Sequence, residues 1–98
     1  MAELVLLATA KADFDAAFDW YAARSESAAR RFTEEVAGAI ERASSEPDKC
    51  GRLDTGHRQA RVKRFPYRII FQVDGERLTV VAIAHHSRRP EYWRRSGE

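Results

Sequence analysis

Basic and aromatic side chains cluster in the last third of the sequence. Two strand-like segments carry cations on polar positions, such as Arg61, Lys63 and Arg68, and residues 85–93 then bring histidines, arginines and rings together. Cations neutralise phosphates, and flat rings stack on nucleobases. The pattern therefore favours a polyanionic partner, while the structural alternative is a sheet whose solvated face happens to be basic.

The charge of the chain is unevenly spread. Residues 1–57 hold 7 Lys and Arg against 11 Asp and Glu, a balance of −4, whereas residues 58–98 hold 10 against 4, a balance of +6. This difference predicts a basic surface built by the C-terminal part of the chain, and it makes an acidic partner a reasonable expectation.

Length and composition indicate one globular domain over residues 1–98 with a modest core. No apolar run approaches the roughly 18–20 residues that span a bilayer, and the first residues lack the features of a signal peptide. Cys50 is the only cysteine, so neither an internal disulfide nor a cysteine-based zinc site is expected. We expect a cytoplasmic protein with no membrane partner, metal ion or cofactor.

The first half of the chain predicts a short buried strand and two helices. The strand covers residues 3–8, and Thr9 is a potential cap for a helix over 10–24, with Asp13 and Asp15 in its early turns. A break at 25–27 offers a new cap for a helix over 27–45, which Pro47 ends. Each helix has one apolar stripe, formed by Phe14, Phe18 and Tyr21 in the first and by Phe32, Val36, Ala39, Ile40 and Ala43 in the second.

The second half predicts a loop over 46–57 and then three strands, over 58–64, 67–73 and 77–85. The pair Asp74-Gly75 is a strong hairpin signal between the last two. Strict alternation along the last strand would place Leu78, Val80, Ala82 and Ala84 on one face and Thr79, Val81, Ile83 and His85 on the other. The order is β-α-α-β-β-β, an α+β fold with a helical hairpin packed on a small, mostly antiparallel sheet.

This order of elements, together with several short motifs, resembles the RelE/ParE superfamily of toxins from type II toxin–antitoxin systems. The resemblance covers about residues 3–95. The motifs that carry it are Asp19-Trp20-Tyr21, Ala29-Arg30-Arg31-Phe32, Pro47, Arg58, Arg64-Phe65-Pro66-Tyr67-Arg68-Ile69-Ile70-Phe71, Val81-Ala82-Ile83-Ala84-His85 and Arg88-Arg89-Pro90-Glu91-Tyr92-Trp93.

The resemblance implies two possible mechanisms, because RelE-like members cut mRNA in the ribosomal A site and ParE-like members poison DNA gyrase without nuclease chemistry. In the RelE-like case Arg61, Arg68 and Arg88 would clamp a phosphate. A tail histidine, His85 or His86, or the tail tyrosine Tyr92 would transfer protons. Contacts to a partner are expected from Lys63, Arg64, His86, Arg89 and Trp93.

The sequence departs from the nuclease pattern. Where the nucleases place lysines it has Gln59 and Arg61, and arginine is a poor proton-transfer group. Structural roles remain open for each candidate: an ion pair for Arg68, a solvated face for Arg61 and Lys63, and a satisfied hydrogen bond for His85. Packing over the sheet edge is open for Tyr92 and Trp93, and packing in the core or in the helical hairpin for Trp20 and Tyr21.

The resemblance also implies partners. Toxins of this kind are neutralised by a small antitoxin whose C-terminal segment folds on the toxin, so a hetero-oligomer with a cognate antitoxin is expected. The favoured hypothesis is a ParE-like growth inhibitor acting on gyrase. The alternatives are a metal-independent, ribosome-dependent mRNA endonuclease and a non-toxic module that only binds an antitoxin.

Overall fold

The computed structural model describes residues 3–54, 56–88 and 92–96. For residues 95 and 96 it describes the backbone only. The elements follow in the order β1 (Glu3–Leu6), α1 (Ala8–Ala22), α2 (Glu26–Ser45), a 3₁₀ turn (Pro47–Lys49), β2 (Gly51–Arg52), β3 (Arg58–Val62), β4 (Tyr67–Asp74), β5 (Arg77–His85) and α3 (Tyr92–Ser96). None of the helices within these ranges is long and apolar enough to cross a membrane.

The strands form one five-stranded sheet in the order β1-β5-β4-β3-β2. Only β1 runs parallel to its neighbour, and the other pairs are antiparallel. The predicted α+β fold is confirmed, with one correction. Residues 46–57, predicted as a loop, contain the 3₁₀ turn and β2, which pairs with β3 through Gly51 and Arg52. A strand of two residues is too short to leave a periodic pattern.

The helices form a hairpin over one face of the sheet. Ser25 caps α2 as predicted, because its hydroxyl accepts a hydrogen bond from the amide of Ala28 at 3.2 Å. The cap predicted for α1 is wrong: the helix starts at Ala8, Thr9 lies inside it, and Leu7 precedes it without a side-chain cap. The reason is that the amide of Leu7 still bonds to Val80 of the sheet, so the chain turns into the helix directly from β1.

Aromatic rings fill the main core between the helices and the sheet. Phe32 of α2 is fully buried, and its ring centroid lies 5.2–5.6 Å from those of Phe14, Tyr21, Phe65 and Tyr67. The predicted helical stripes therefore lie where expected. Phe65 reaches this cluster from the turn after β3, where Arg64 has φ of +71°. The strand ends at Val62, so Lys63 lies in this turn and not on the strand as predicted.

A β-bulge in β5 reverses which of its side chains face the helices. Ile70 pairs with Ala82 and Phe71 with Val80, so Val81 is the extra residue. Leu78 and Val80 face the helices, but after the bulge Ile83 takes that face while Ala82 and Ala84 point to the other. The predicted strict alternation is wrong beyond Val80, because an inserted residue reverses the facing of all that follow.

The edge strand β1 is more exposed than predicted. Leu4 and Leu6 are both exposed, and only Val5 is half-buried. The strand has a single hydrogen-bonding neighbour, β5, so its other edge is unpaired within the described residues. At the same end of β5, the hairpin turn that precedes the strand consists of Gly75 and Glu76, with φ of +61° at Gly75, and Asp74 already belongs to the paired strand.

Candidate functional site

Two arginines lie opposite each other on the face of the sheet that α1 and α2 do not cover. Arg61 of β3 pairs in register with Arg68 of β4, which itself pairs with Ala84 of β5. Residues directly opposite in antiparallel strands share a face. The neighbours Ala60 and Val62 belong to the core under the helices, so Arg61 points the other way and is exposed.

The side chain of Arg68 is half-buried and has no counter-charge among the residues that the structure describes. Its Nε is enclosed and has no hydrogen-bond partner, and no ion pair within 4 Å joins it to a described carboxylate. The alternative role of a strand-edge ion pair is therefore not seen in the described part of the chain. Lys63 and Arg64 are exposed in the turn beyond β3.

The tail helix α3 packs on this same face. Trp93 is only 2% exposed and forms a second core cluster with Ile70, Ala82 and Ala84. Its ring lies 4.7 Å from that of His57, centroid to centroid. Trp93 thus fills the sheet face beside the arginine pair and offers no free ring for stacking.

An ion pair anchors α3 to the loop between β2 and β3. Arg94 bonds to the carboxylate of Asp54, which also accepts from the amide of Gly56 at 2.8 Å and contacts Nδ1 of His57 at 3.1 Å. The bond from Arg94, followed by the backbone bond, holds the pKa of Asp54 well below its usual value.

This depressed pKa predicts how the protein responds to acid. The folded state binds the proton of Asp54 less readily than the unfolded state, so the stability from this group is present above pH 3.8 and is lost as the pH falls below it. Asp54→Asn should flatten the fall in urea midpoint between about pH 5 and pH 2. Asp48→Asn is the control, since Asp48 is almost fully exposed and meets Arg58 only at 3.5 Å. Equal acid sensitivity in Asp54→Asn and wild type would contradict the expectation.

Tyr92 of α3 is bonded to Asp13 of α1 beside the part of β5 that β1 does not pair with, and we call this contact the clasp. The Tyr92 hydroxyl donates to Oδ2 of Asp13 at 2.7 Å, and the same oxygen accepts from the amide of Ile83 at 3.0 Å. The guanidinium of Arg88 lies 3.9 Å from the centre of the Tyr92 ring. Burial, followed by the bond to Asp13, raises the pKa of Tyr92, so its phenol stays protonated at neutral pH.

Breaking this clasp should destabilise the protein. Tyr92→Phe removes a hydrogen bond to a half-buried carboxylate, so we expect a loss of about 1.5–3 kcal/mol in unfolding free energy. Burial already raises the pKa of Asp13, and the Tyr92 bond opposes that rise. The variant should therefore raise the pKa further and lose more stability as the pH rises above 3.8. Urea unfolding of the variant beside Tyr21→Phe, whose phenol has no described hydrogen-bond partner, measures the effect; equal losses in the two would refute it.

His85 lies on the opposite face from the arginine pair. It pairs with Tyr67 across the sheet, and the two rings meet edge to face at 4.9 Å. Its Nδ1 accepts from the amide of Ser87 at 3.0 Å and contacts the Ser87 hydroxyl at 2.8 Å. The alternative of a satisfied histidine at a strand end thus describes its geometry. The adjacent His86 is exposed, and Arg89 lies outside the described residues.

A cleft of about 450 Å³ opens beside His85, between α1 and the ends of β4 and β5. Trp20, 52% exposed, forms one wall, so the prediction that it packs in the core is wrong. Arg24, one turn later, holds its guanidinium 3.6 Å from the Trp20 ring centre and bonds to the Trp20 carbonyl. The rest of the cleft is mainly aromatic and apolar, with polar groups at the β5 end; its lining includes Asp13, Tyr21, Pro66, Tyr67, Ile83 and Arg88.

The predicted residues thus lie in three separate places. Arg61 and Arg68 lie on the face with α3, Tyr92 and Arg88 lie at the β5 edge, and His85 lies in the cleft under α1. Sequence reasoning missed Asp13, whose role depends on an amide 70 residues away. It also missed that Trp20 lies at the surface. The arginine four residues later is a sequence signal for this, because at that helical spacing its side chain can lie over a ring that is exposed to solvent.

Comparison with known proteins identifies a family model that this chain matches and solved structures that share its fold. Residues 4–90 match the model of the family described as the ParE toxin of the type II toxin–antitoxin system parDE. A chain of the chromosomal ParDE toxin–antitoxin system from P. aeruginosa superposes with a TM-score of 0.72 at 22% identity, covering 87% of this chain and 96% of that one.

Two further structures share the fold. The YoeB/ParE toxin from Agrobacterium tumefaciens gives a TM-score of 0.61 at 22% identity, covering 86% of this chain and 98% of that one. A chain of the YoeB–YefM complex from Staphylococcus aureus gives 0.60 at 12% identity, covering 88% and 98%. No curated protein sequence matches significantly.

Proposed function

Because this chain belongs to the ParE toxin family of type II toxin–antitoxin systems, we propose that it arrests growth by binding a protein target, DNA gyrase, in the cytoplasm. A small cognate antitoxin neutralises it by forming a hetero-oligomer. This is the ParE-like mechanism, in which the toxin acts by contact and needs no catalytic set, metal ion or cofactor.

The observation that carries this proposal is that the candidate proton-transfer groups, Tyr92 and His85, are not placed to act beside the arginine pair. RNA cleavage needs a base for the 2′-hydroxyl and an acid for the leaving oxygen, close to the cations that hold the phosphate. The hydroxyl of Tyr92 donates a hydrogen bond to Asp13 and has a raised pKa, and His85 lies on the other face of the sheet from Arg61 and Arg68. Arginine remains charged and cannot replace either group.

The cleft beside Trp20 supports contact with a protein. Exposed tryptophan and neighbouring arginine are the side chains that most often dominate protein interfaces. Arg24 holds the ring from one side, which lowers the entropy that binding must remove. We assign the Trp20 cleft to the gyrase contact, with the second cationic side chain, Arg88, at its other end.

The test combines a gyrase supercoiling assay on the purified protein with mapping of mRNA 5′ ends in induced cells. The expected result is inhibition of gyrase supercoiling in vitro that is reversed by the cognate antitoxin. New mRNA 5′ ends are mapped in parallel after induction, and few should appear within codons. Growth arrest with normal supercoiling would reject gyrase as the target.

One observation favours a second function, the RelE-like mRNA endonuclease. The pair Arg61 and Arg68 faces away from the helices with no described counter-charge, as a phosphate clamp requires. Abundant new 5′ ends within translated codons, lost in Arg68→Ala, would establish this mechanism in place of the first. If the protein causes neither arrest nor cleavage, the non-toxic antitoxin-binding module becomes the best account.

A further inference from the structure

We propose that the Trp20 cleft binds a proline-rich segment of a partner protein, held in the extended polyproline II conformation. The inference rests on the proposed function in one respect, that this cleft contacts a protein, and it adds the kind of segment that enters. The cleft lies between α1 and the ends of β4 and β5, so the arginine pair on the other face of the sheet takes no part.

The first argument is a row of four rings along the cleft. The ring centroids of Trp20 and Tyr21 lie 5.0 Å apart, those of Tyr21 and Tyr67 6.5 Å, and those of Tyr67 and His85 4.9 Å. Two residues of a polyproline II helix advance about 6 Å, which is close to each of these steps. Such a segment therefore places successive pairs of residues against successive rings.

The second argument is the exposed apolar surface of the cleft. Trp20 is 52% exposed even though Arg24 lies over its ring, so much of the indole remains open to a ligand. Ala16 and Pro66 also line the cleft and are exposed. Proline-rich segments dock in grooves lined by aromatic rings, and their preformed conformation leaves little entropy to lose on binding.

The third argument is the supply of hydrogen-bond donors. Among the residues that the structure describes, nothing bonds to the indole N–H of Trp20 or to the hydroxyls of Tyr21 and Tyr67. Neither hydroxyl is an enclosed atom without a partner, so both reach solvent. Burial raises the pKa of both phenols, which therefore stay protonated and can donate at neutral pH.

These donors match a polyproline segment better than a helix. Proline has no N–H, and a polyproline II helix has no internal hydrogen bonds, so its carbonyl groups are free to accept. An α-helix uses its carbonyls internally, apart from those of its last turn. A cleft that offers one indole N–H and two phenol hydroxyls therefore selects an extended segment rich in acceptors.

The experiment follows the two indole N–H resonances of the labelled full-length protein by NMR while decaproline is added. Trp20 lies in the cleft and Trp93 is buried on the other face, so the two resonances report on the two faces in one titration. A saturable shift of the Trp20 resonance is expected, with none at Trp93. A glycine–serine decapeptide is the flexible control, and a peptide of glutamate, alanine and lysine is the helical control.

A pair of variants tests the donor role. Tyr67→Phe keeps the ring and removes the hydroxyl, so decaproline should bind about threefold to tenfold more weakly. The urea midpoint of this variant should stay near that of the wild type, because the hydroxyl has no described partner to lose. Val73→Ala removes an exposed apolar side chain outside the cleft and should leave the affinity for decaproline unchanged.

The proposal is overturned if decaproline causes no saturable shift at Trp20 or shifts Trp93 equally. Equal binding of either control peptide, or wild-type affinity in Tyr67→Phe, would also overturn it. None of these measurements uses gyrase. Decaproline binding without gyrase inhibition would reject the proposed target and keep this inference, and inhibition without decaproline binding would do the reverse.

Discussion

Phe32→Ala is expected to lower the free energy of unfolding by about 3–5 kcal/mol, the range for removing a buried phenylalanine. The effect should lie near the top of that range, because Phe32 is fully buried and contacts four other rings. Small domains have about 5–15 kcal/mol in total, so the variant should be partly unfolded at growth temperature. Urea unfolding followed by circular dichroism measures the change.

Phe18→Ala is the matched control for this prediction. Phe18 lies on α1, is half-buried, and stacks only with Phe14 among the described rings. Its loss should cost clearly less than that of Phe32, since a partly exposed site leaves a smaller cavity. Similar losses in the two variants would show that the aromatic cluster is not centred on Phe32.

Trp20→Ala is expected to raise the concentration that half-inhibits gyrase supercoiling by about 30-fold or more, which corresponds to the roughly 2 kcal/mol or more of an interface hot spot. The physical reason is that the mutation removes an exposed wall of the cleft together with the ring on which Arg24 rests. Stability should change little, because Trp20 lies mostly outside the core. Supercoiling titrations and urea midpoints of the same preparations separate the two effects.

Val73→Ala provides the comparison for Trp20. Val73 is also an exposed apolar side chain, but it lies near the far end of β4 and does not line the Trp20 cleft. Its removal should leave inhibition unchanged. If Trp20→Ala inhibits as well as wild type, the cleft has no part in the gyrase contact and the tail or the arginine face must carry it.

The sequence predicted those features that repeat along the chain. Helix stripes such as Phe32 and Val36, the cap at Ser25 and the three long strands leave local patterns of spacing or residue type. Features that depend on a single inserted residue escaped it. The bulge at Val81 reversed the facing of Ile83 and His85, because period-2 alternation has no sign that marks an extra residue.

The residue types of the candidate site were predictable from the sequence, but which of those residues lie together was predictable only in part. Arg61 and Arg68 were expected together and are paired in register, since two neighbouring strands fix their facing. His85 was expected beside them and lies on the other face as a consequence of the bulge. The clasp of Tyr92 with Asp13 joins residues 79 apart, and no pattern of one sequence specifies such a contact.

The parallel pairing of β1 with β5 has a consequence for the order in which the molecule is made. Glu3 pairs with Arg77, whereas β3, β4 and β5 pair with their neighbours across short turns. Contacts between distant parts of a chain form late, because a long loop must close first. During synthesis β1 therefore waits without a partner until β5 has left the ribosome. The sheet, and with it the bond between Asp13 and the amide of Ile83, is completed only after β5 has emerged.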